Sequence, residues 1–120
     1  MGKKTVVIGA SPNPSRYSHT AVQRLTAAGH KTLAIGLRKG QIGSTEIING
    51  FPIIDHVDTI TLYISAVHQP AMYDYLVALH PKRIIFNPGT ENTELAKIMQ
   101  DHDVEVVHGC TLVMLATGSY

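Results

Sequence analysis

Val6-Val7-Ile8-Gly9-Ala10-Ser11-Pro12-Asn13-Pro14-Ser15-Arg16-Tyr17-Ser18 is the stretch around which the rest of the chain is organised. Its apolar run, Val6 to Ile8, marks a buried strand over Thr5 to Ile8 that breaks at Gly9. Small residues and two prolines follow, and from His19 a helical pattern takes over. A strand that re-enters a helix through small residues leaves unpaired N–H groups at the helix N-terminus. Those donors, at the positive end of the macrodipole, favour an anion. Arg16 adds a cation in the same place. The loop therefore reads as a phosphate holder, with an ordinary turn of a strand–helix fold as the alternative.

Working outward, Ala21, Val22, Leu25 and Ala28 keep helical spacing over His19 to Ala28, with Ser18 as the expected N-cap and Gly29 at the C-terminal turn. Lys31 to Ile35 is a second strand, ended by Gly36. Strand, helix and strand together have the length of a parallel crossover. Residues 36–50 are glycine-rich and polar and read as a long excursion. Phe51 to Ile54 reads as a short edge strand, because Pro52 has no ladder donor. Thr59 to Ser65 is rich in β-branched and aromatic residues and reads as a strand. Pro70 opens an expected helix over 70–80 with Met72, Tyr75, Leu76 and Leu79 on its inner face. Arg83 to Phe86 is strand, Thr93 to Asp101 helix and Val104 to Val107 the last strand, with a mildly apolar tail at Leu112 to Ala116.

This alternation predicts one α/β domain over residues 1–120. The expected fold is Rossmann-like and doubly wound, with a mostly parallel sheet of five to six strands and helices on both faces. In such sheets ligands lie beyond the carboxyl ends of the strands, near the switch in strand order. The loops Gly9–Ser18, Gly36–Lys39, Ser65–His68 and Asn87–Asn92 each follow a strand and should converge on one rim.

Composition narrows the function. The net charge of +1 offers no dominant basic face, so no nucleic-acid partner is expected. No apolar run approaches the roughly 18 residues of a membrane span, and the basic start leads into a strand rather than a signal peptide. The single cysteine, Cys110, excludes an internal disulfide and a cysteine-based zinc site. The cytoplasm is the expected location.

The loop chemistry points away from plain NAD. After the first strand the chain lacks G-x-G-x-x-G, and no Gly-Lys-Ser/Thr follows. After the second strand, where NAD enzymes place an acid, it reads Gly36-Leu37-Arg38-Lys39, with no acid until Glu46. Two cations there suit a phosphorylated ribose, or make a solvated basic turn. Seven histidines are scattered without ligand-pair spacing, so no metal site is expected. Cys110 near His108 is either an activated thiol or a small buried apolar residue. No catalytic set emerges.

In order and spacing, VVIGASPNPSRYS, GLRKG, NGFPII, TLYIS and NPGTENTEL resemble the small single-domain CoA-binding proteins. These are relatives of the CoA-binding domain of the succinyl-CoA synthetase alpha subunit. The resemblance runs from Thr5 to Cys110 and implies a Rossmann-like fold that binds CoA or a similar adenine nucleotide. It also implies that Gly9, Ala10, Ser11, Asn13, Arg16 and Ser18 form the phosphate-side loop. Leu37, Arg38 and Lys39 would flank the adenine and its phosphorylated ribose, Ala66 would line the wall, and Asn87, Pro88, Gly89 and Thr90 would close the far side. Two places depart from many relatives: Ile35-Gly36-Leu37 stands for Val-Asn-Pro, and Asn87-Pro88-Gly89 stands where Gln or Trp-Gln is common. Ligase activity does not carry over, since it needs a phosphohistidine from a further domain and a partner subunit.

The expectation is a nucleotide-binding domain without catalysis of its own. The alternatives are an NADP-linked oxidoreductase or reductase fragment, with His68 as its acid–base group, and a nucleotide-responsive interaction or sensor module. The last strand and the tail offer a surface for a homodimer or another protein partner.

Overall fold

Alternation within Val6-Val7-Ile8 sets the layering. Val6 and Ile8 pack into one buried cluster and Val7 into another, so strand β1 (Thr5–Ile8) is covered on both faces. This is the pattern of a parallel sheet between helical layers. The computed structural model describes residues 2–120. β1 is followed by α1 (Tyr17–Ala27), β2 (Thr32–Ile35), β3 (Gly40–Ile42), β4 (Thr45–Ile48) and β5 (Thr59–Leu62). Two 3₁₀ turns, Ala66–His68 and Pro70–Met72, then lead into α2 (Tyr73–Ala78), β6 (Arg83–Phe86), α3 (Thr93–Asp101), β7 (Glu105–His108) and α4 (Thr111–Thr117).

The strands form one sheet in the order β3-β4-β2-β1-β5-β6-β7, parallel throughout except for the antiparallel β3–β4 pair. The architecture is thus the expected Rossmann-like α/β one. Leu76 and Leu79 from the α2 region and Leu95, Ala96 and Met99 from α3 cover one face, against Ile60, Leu62, Ile84 and Phe86. Val22 and Leu25 of α1, with Met114 and Leu115 of α4, cover the other. The strand order reverses between β1, which continues toward β2, and β5, which continues toward β6. That reversal is the switch point.

Beyond strand ends that shift by one to three residues, as where β5 stops at Leu62 rather than Ser65, five points differ from the sequence expectation. The sheet has seven strands rather than five to six, because the excursion at 36–50 holds a hairpin. Gly43, at φ 61°, and Ser44 make its two-residue turn, and Ile42 and Ile47 are buried beside it. Phe51 to Ile54 is not a strand. Ile53 is 95 % exposed and Phe51 packs its ring on Tyr75 at 5.1 Å, while Tyr75 Oη donates to the Pro52 carbonyl at 2.6 Å. The helix expected over 70–80 is divided, with a 3₁₀ turn at Pro70 before α2. Helix α1 begins at Tyr17 with Arg16 at the cap position, so Ser18 lies inside the first turn, buried. Lastly, the tail is a helix, α4, stopped by Gly118 in the left-handed region.

Candidate functional site

Two glycines, Gly9 where the first loop leaves β1 and Gly36 after β2, bring main chains together. Gly9 has φ 91°, and a Cβ there would sit 2.7 Å from Ile64 Cγ2 and 3.0 Å from the Tyr63 carbonyl carbon and oxygen. At Gly36, the end of β2, a Cβ would lie 2.1 Å from the Ala10 carbonyl oxygen. Three neighbouring strand ends therefore meet over bare backbone. Gly9 N and Ala10 N both donate to the Ile35 carbonyl at 2.9 Å, which pins the start of the loop to β2. Asn13 holds the loop's outer turn, its Oδ1 accepting from Ser15 N at 3.0 Å and Ser15 Oγ at 2.8 Å. His19 Nδ1 lies 3.0 Å from the Ser11 carbonyl and ties the loop back to α1.

Above these junctions opens a cleft of about 620 Å³. It lies at the switch point between β1 and β5, where doubly wound sheets bind their ligands. Gly9, Ala10, Ser11, Arg16 and Ser18 line it from the first loop, Leu37 and Arg38 from the loop after β2, and Pro88, Gly89 and Thr90 from the loop after β6. Pro12, Tyr17, Tyr63, Ile64, Ser65 and His68 complete the lining. Four residues from the sequence expectation stand outside it. Asn13 is spent on its turn, Lys39 is exposed beside the cleft, Ala66 is half-buried in a 3₁₀ turn, and Asn87 points inward. Asn87 is 2 % exposed; its Nδ2 donates to Thr61 Oγ1 at 2.6 Å and the Leu62 carbonyl at 2.8 Å, and its Oδ1 accepts from Thr111 N at 2.9 Å. That asparagine fastens α4 to the sheet instead of facing a ligand.

The cleft's electrostatics are one-sided. Arg16 and Arg38 line it, and no aspartate or glutamate does. No side chain caps α1; His19 N donates to the Arg16 carbonyl at 3.1 Å, which leaves the Tyr17 and Ser18 N–H groups as the open donors of the helix start. Such an arrangement attracts phosphate or carboxylate groups. The volume falls within the range of small-molecule and cofactor sites. Tyr17 is 76 % exposed and Leu37 91 % exposed, and they give the mouth an apolar rim. Tyr63 packs against the core with its Oη buried and without a hydrogen-bond partner. Burial, reinforced by nearby Cys110, pushes its phenol up to about 12. Cys110 itself sits half-buried at the cap position of α4, while His108 stacks on Phe86 at 5.3 Å. Among the described residues, no three His, Cys, Asp or Glu side chains converge in a way that would hold a metal ion. No helix among them is long and apolar enough to cross a membrane.

Sequence reasoning singled out Ser65 to His68 as a rim loop but gave Tyr63 no site role, reading it as part of the strand Thr59 to Ser65. Its signal was positional: Tyr63 is the first residue past the buried end of β5, next to Gly9. Pro12 and Tyr17 were given no site role, although both lie within the stretch that opens the cleft.

A family model described as a CoA binding domain matches residues 3–116. Among curated proteins, none matches the chain. Among solved structures, an uncharacterized protein is 47 % identical with a TM-score of 0.97, the match covering 100 % of this chain and 99 % of that one. A hypothetical protein from Pyrococcus horikoshii OT3 is 18 % identical with a TM-score of 0.85, covering 97 % and 83 %. A protein from Thermus thermophilus is 19 % identical with a TM-score of 0.86, covering 99 % and 91 %. The last two share the fold.

Proposed function

The chain belongs to the CoA-binding domain family, and from that premise we propose that it binds coenzyme A in the cleft at the switch point, without catalysing a reaction alone. The observation that carries the reading is the charge of the cleft: two arginines, an uncapped helix N-terminus and no carboxylate along the lining. CoA presents a pyrophosphate and a ribose phosphate, and each needs cations or N–H donors once it leaves water. In this reading the first loop and the α1 N-terminus hold the pyrophosphate. Arg38 answers the ribose phosphate, and Leu37 covers the adenine.

NADP carries the same two kinds of phosphate, and His68 in the lining would be its acid–base group. Thermal unfolding with CoA, NADP, NAD and ATP at matched concentrations separates the readings. A ligand at about 100 times its Kd raises stability by roughly 2.7 kcal/mol. CoA is expected to give the largest shift, and the Arg38→Ala variant to lose about tenfold in CoA affinity, the scale of one charge-assisted hydrogen bond. A shift with NADP and none with millimolar CoA would sink the proposal in favour of the reductase reading.

A further inference from the structure

Gln69 lies between the two 3₁₀ turns, 0 % exposed, and does not line the cleft. Its Nε2 donates to the Ile64 carbonyl at 3.0 Å and to the Thr90 carbonyl at 2.8 Å. Ile64 and Thr90 both line the cleft, on the loops after β5 and β6. A single amide thus bridges two separate segments of the cleft wall. On its other side, Gln69 Oε1 accepts from Asn92 Nδ2 at 2.8 Å.

The direction of that amide is determined from outside. Asn92 is the N-cap of α3, and its Oδ1 accepts from Glu94 N at 3.1 Å and Leu95 N at 3.2 Å. With its oxygen engaged there, Asn92 can offer only Nδ2 to Gln69, and it offers the same group to Tyr73 Oη at 2.8 Å. Tyr73 Oη in turn donates to Glu94 Oε1 at 2.9 Å. A reversed Gln69 amide would set an oxygen against two carbonyls and a nitrogen against a donor. Only one orientation satisfies all three contacts.

We propose that Gln69 is a positioning residue of this cleft. Its amide fixes the separation of the loops after β5 and β6, and the first turn of α3 fixes the amide through Asn92. The inference rests on the ligand reading above, because a wall held at one width in advance binds without the cost of ordering it.

The test compares wild type with Gln69→Leu, which removes all three contacts at similar volume, and with Asn92→Asp. The latter keeps an oxygen for the α3 cap but loses the donor to Gln69. Leu76→Ala, a truncation of a fully buried core leucine in α2 that makes none of these amide contacts, serves as the control for general destabilisation. CoA affinity by calorimetry and amide hydrogen exchange of the ligand-free proteins are the two readouts. Gln69→Leu is expected to weaken CoA binding about tenfold, Asn92→Asp by about threefold, and Leu76→Ala by less than about twofold. In both loop variants, exchange should quicken over residues 63–68 and 87–92 without quickening in β1 or β6.

A folded Gln69→Leu protein with unchanged affinity overturns the proposal, and so does a control that weakens binding as much as the variant. Exchange that quickens uniformly overturns it as well. Should Gln69→Leu fail to fold, Asn92→Asp is judged by the same two readouts. If wild type itself ignores CoA, the ligand reading fails, and the ligand-free exchange pattern still decides whether Gln69 holds the two loops together.

Discussion

Tyr63 carries two opposing demands in one side chain. Its ring packs against the buried cluster on the α1 and α4 side of the sheet, while its hydroxyl is buried with no partner in hydrogen-bonding geometry, near the Thr61 and Thr111 hydroxyls that bond each other at 2.8 Å. A buried hydroxyl that has given up water and gained no hydrogen bond is a net cost. Tyr63→Phe should therefore raise stability by about 1 kcal/mol in urea unfolding. The phenol adds a pH signature. Because the folded state holds its proton up to about 12 while the unfolded chain releases it near 10.0, wild type loses stability as pH rises between those values. The phenylalanine variant should lack that component of the alkaline loss. Equal alkaline slopes for the two proteins would contradict the assignment.

At the scale of elements, the junction of β1 with β2 is the tightest point of the cleft. Gly36→Ala would drive a Cβ into the Ala10 carbonyl oxygen, a main-chain atom that cannot rotate away. The expected cost is about 3 kcal/mol, in the upper range of overpacking. Gly29→Ala makes the comparison clean. Gly29 has φ 89° with nothing within 4 Å of the added carbon, so it should lose only about 1 kcal/mol of backbone preference. Melting both variants by calorimetry checks the difference. If Gly29→Ala proves the costlier, close approach is not what Gly36 provides.

The same scale shows what was legible in advance. β1, β6 and α3 read to the residue, because a short run dominated by apolar or β-branched residues, or an amphipathic run at helical spacing, leaves little competition. β3 and β4 were hidden by glycines and a charged residue at Glu46, with only Ile42, Ile47 and the Gly43-Ser44 turn to betray a hairpin. α4 was hidden because Cys110 provides no side-chain cap, though Gly118 after an apolar run was a usable stop signal. The first cleft loop was legible since its residues are consecutive. The contributions of Tyr63 and Gln69 were not, because they depend on which strand ends become neighbours across the switch. The side-chain partners of Asn87 were illegible for the same reason: Thr61, Leu62 and Thr111 come beside it only once the strands are assembled.

For the whole molecule, the end of the sheet opposite the cleft is closed by contacts between segments far apart in sequence. Tyr120 Oη and Thr5 Oγ1 lie 2.6 Å apart, and the Tyr120 carbonyl oxygen accepts from Lys3 Nζ and, at 2.9 Å, from Arg83 Nη1. The Arg83 guanidinium lies 4.4 Å over the Tyr120 ring, and the His30 ring meets the same ring edge-on at 4.8 Å. Lys3 N donates to His30 Nδ1 at 2.9 Å, which requires that nitrogen unprotonated. Burial, then the charges of Lys3 and Arg83, lowers the His30 pKa below its ordinary 6.5. The unfolded chain therefore takes up the proton first, and this corner loses stability as pH falls below 6.5. A melting-temperature series for wild type and His30→Gln should diverge above that pH and converge below it. Parallel curves would remove His30 from the acid response.

The two glycine junctions give the cleft a floor made of main chain, with Gly9 and Ala10 lining it and Gly36 pressed against the Ala10 carbonyl. Truncation mapping is blind to such a floor. Replacing each lining side chain by alanine would report the rim of Arg16, Tyr17, Leu37 and Arg38 and return silence for the surface beneath it. That surface can be interrogated only by adding atoms. It also separates two engineering problems, since the rim can be rewritten while the floor is left alone.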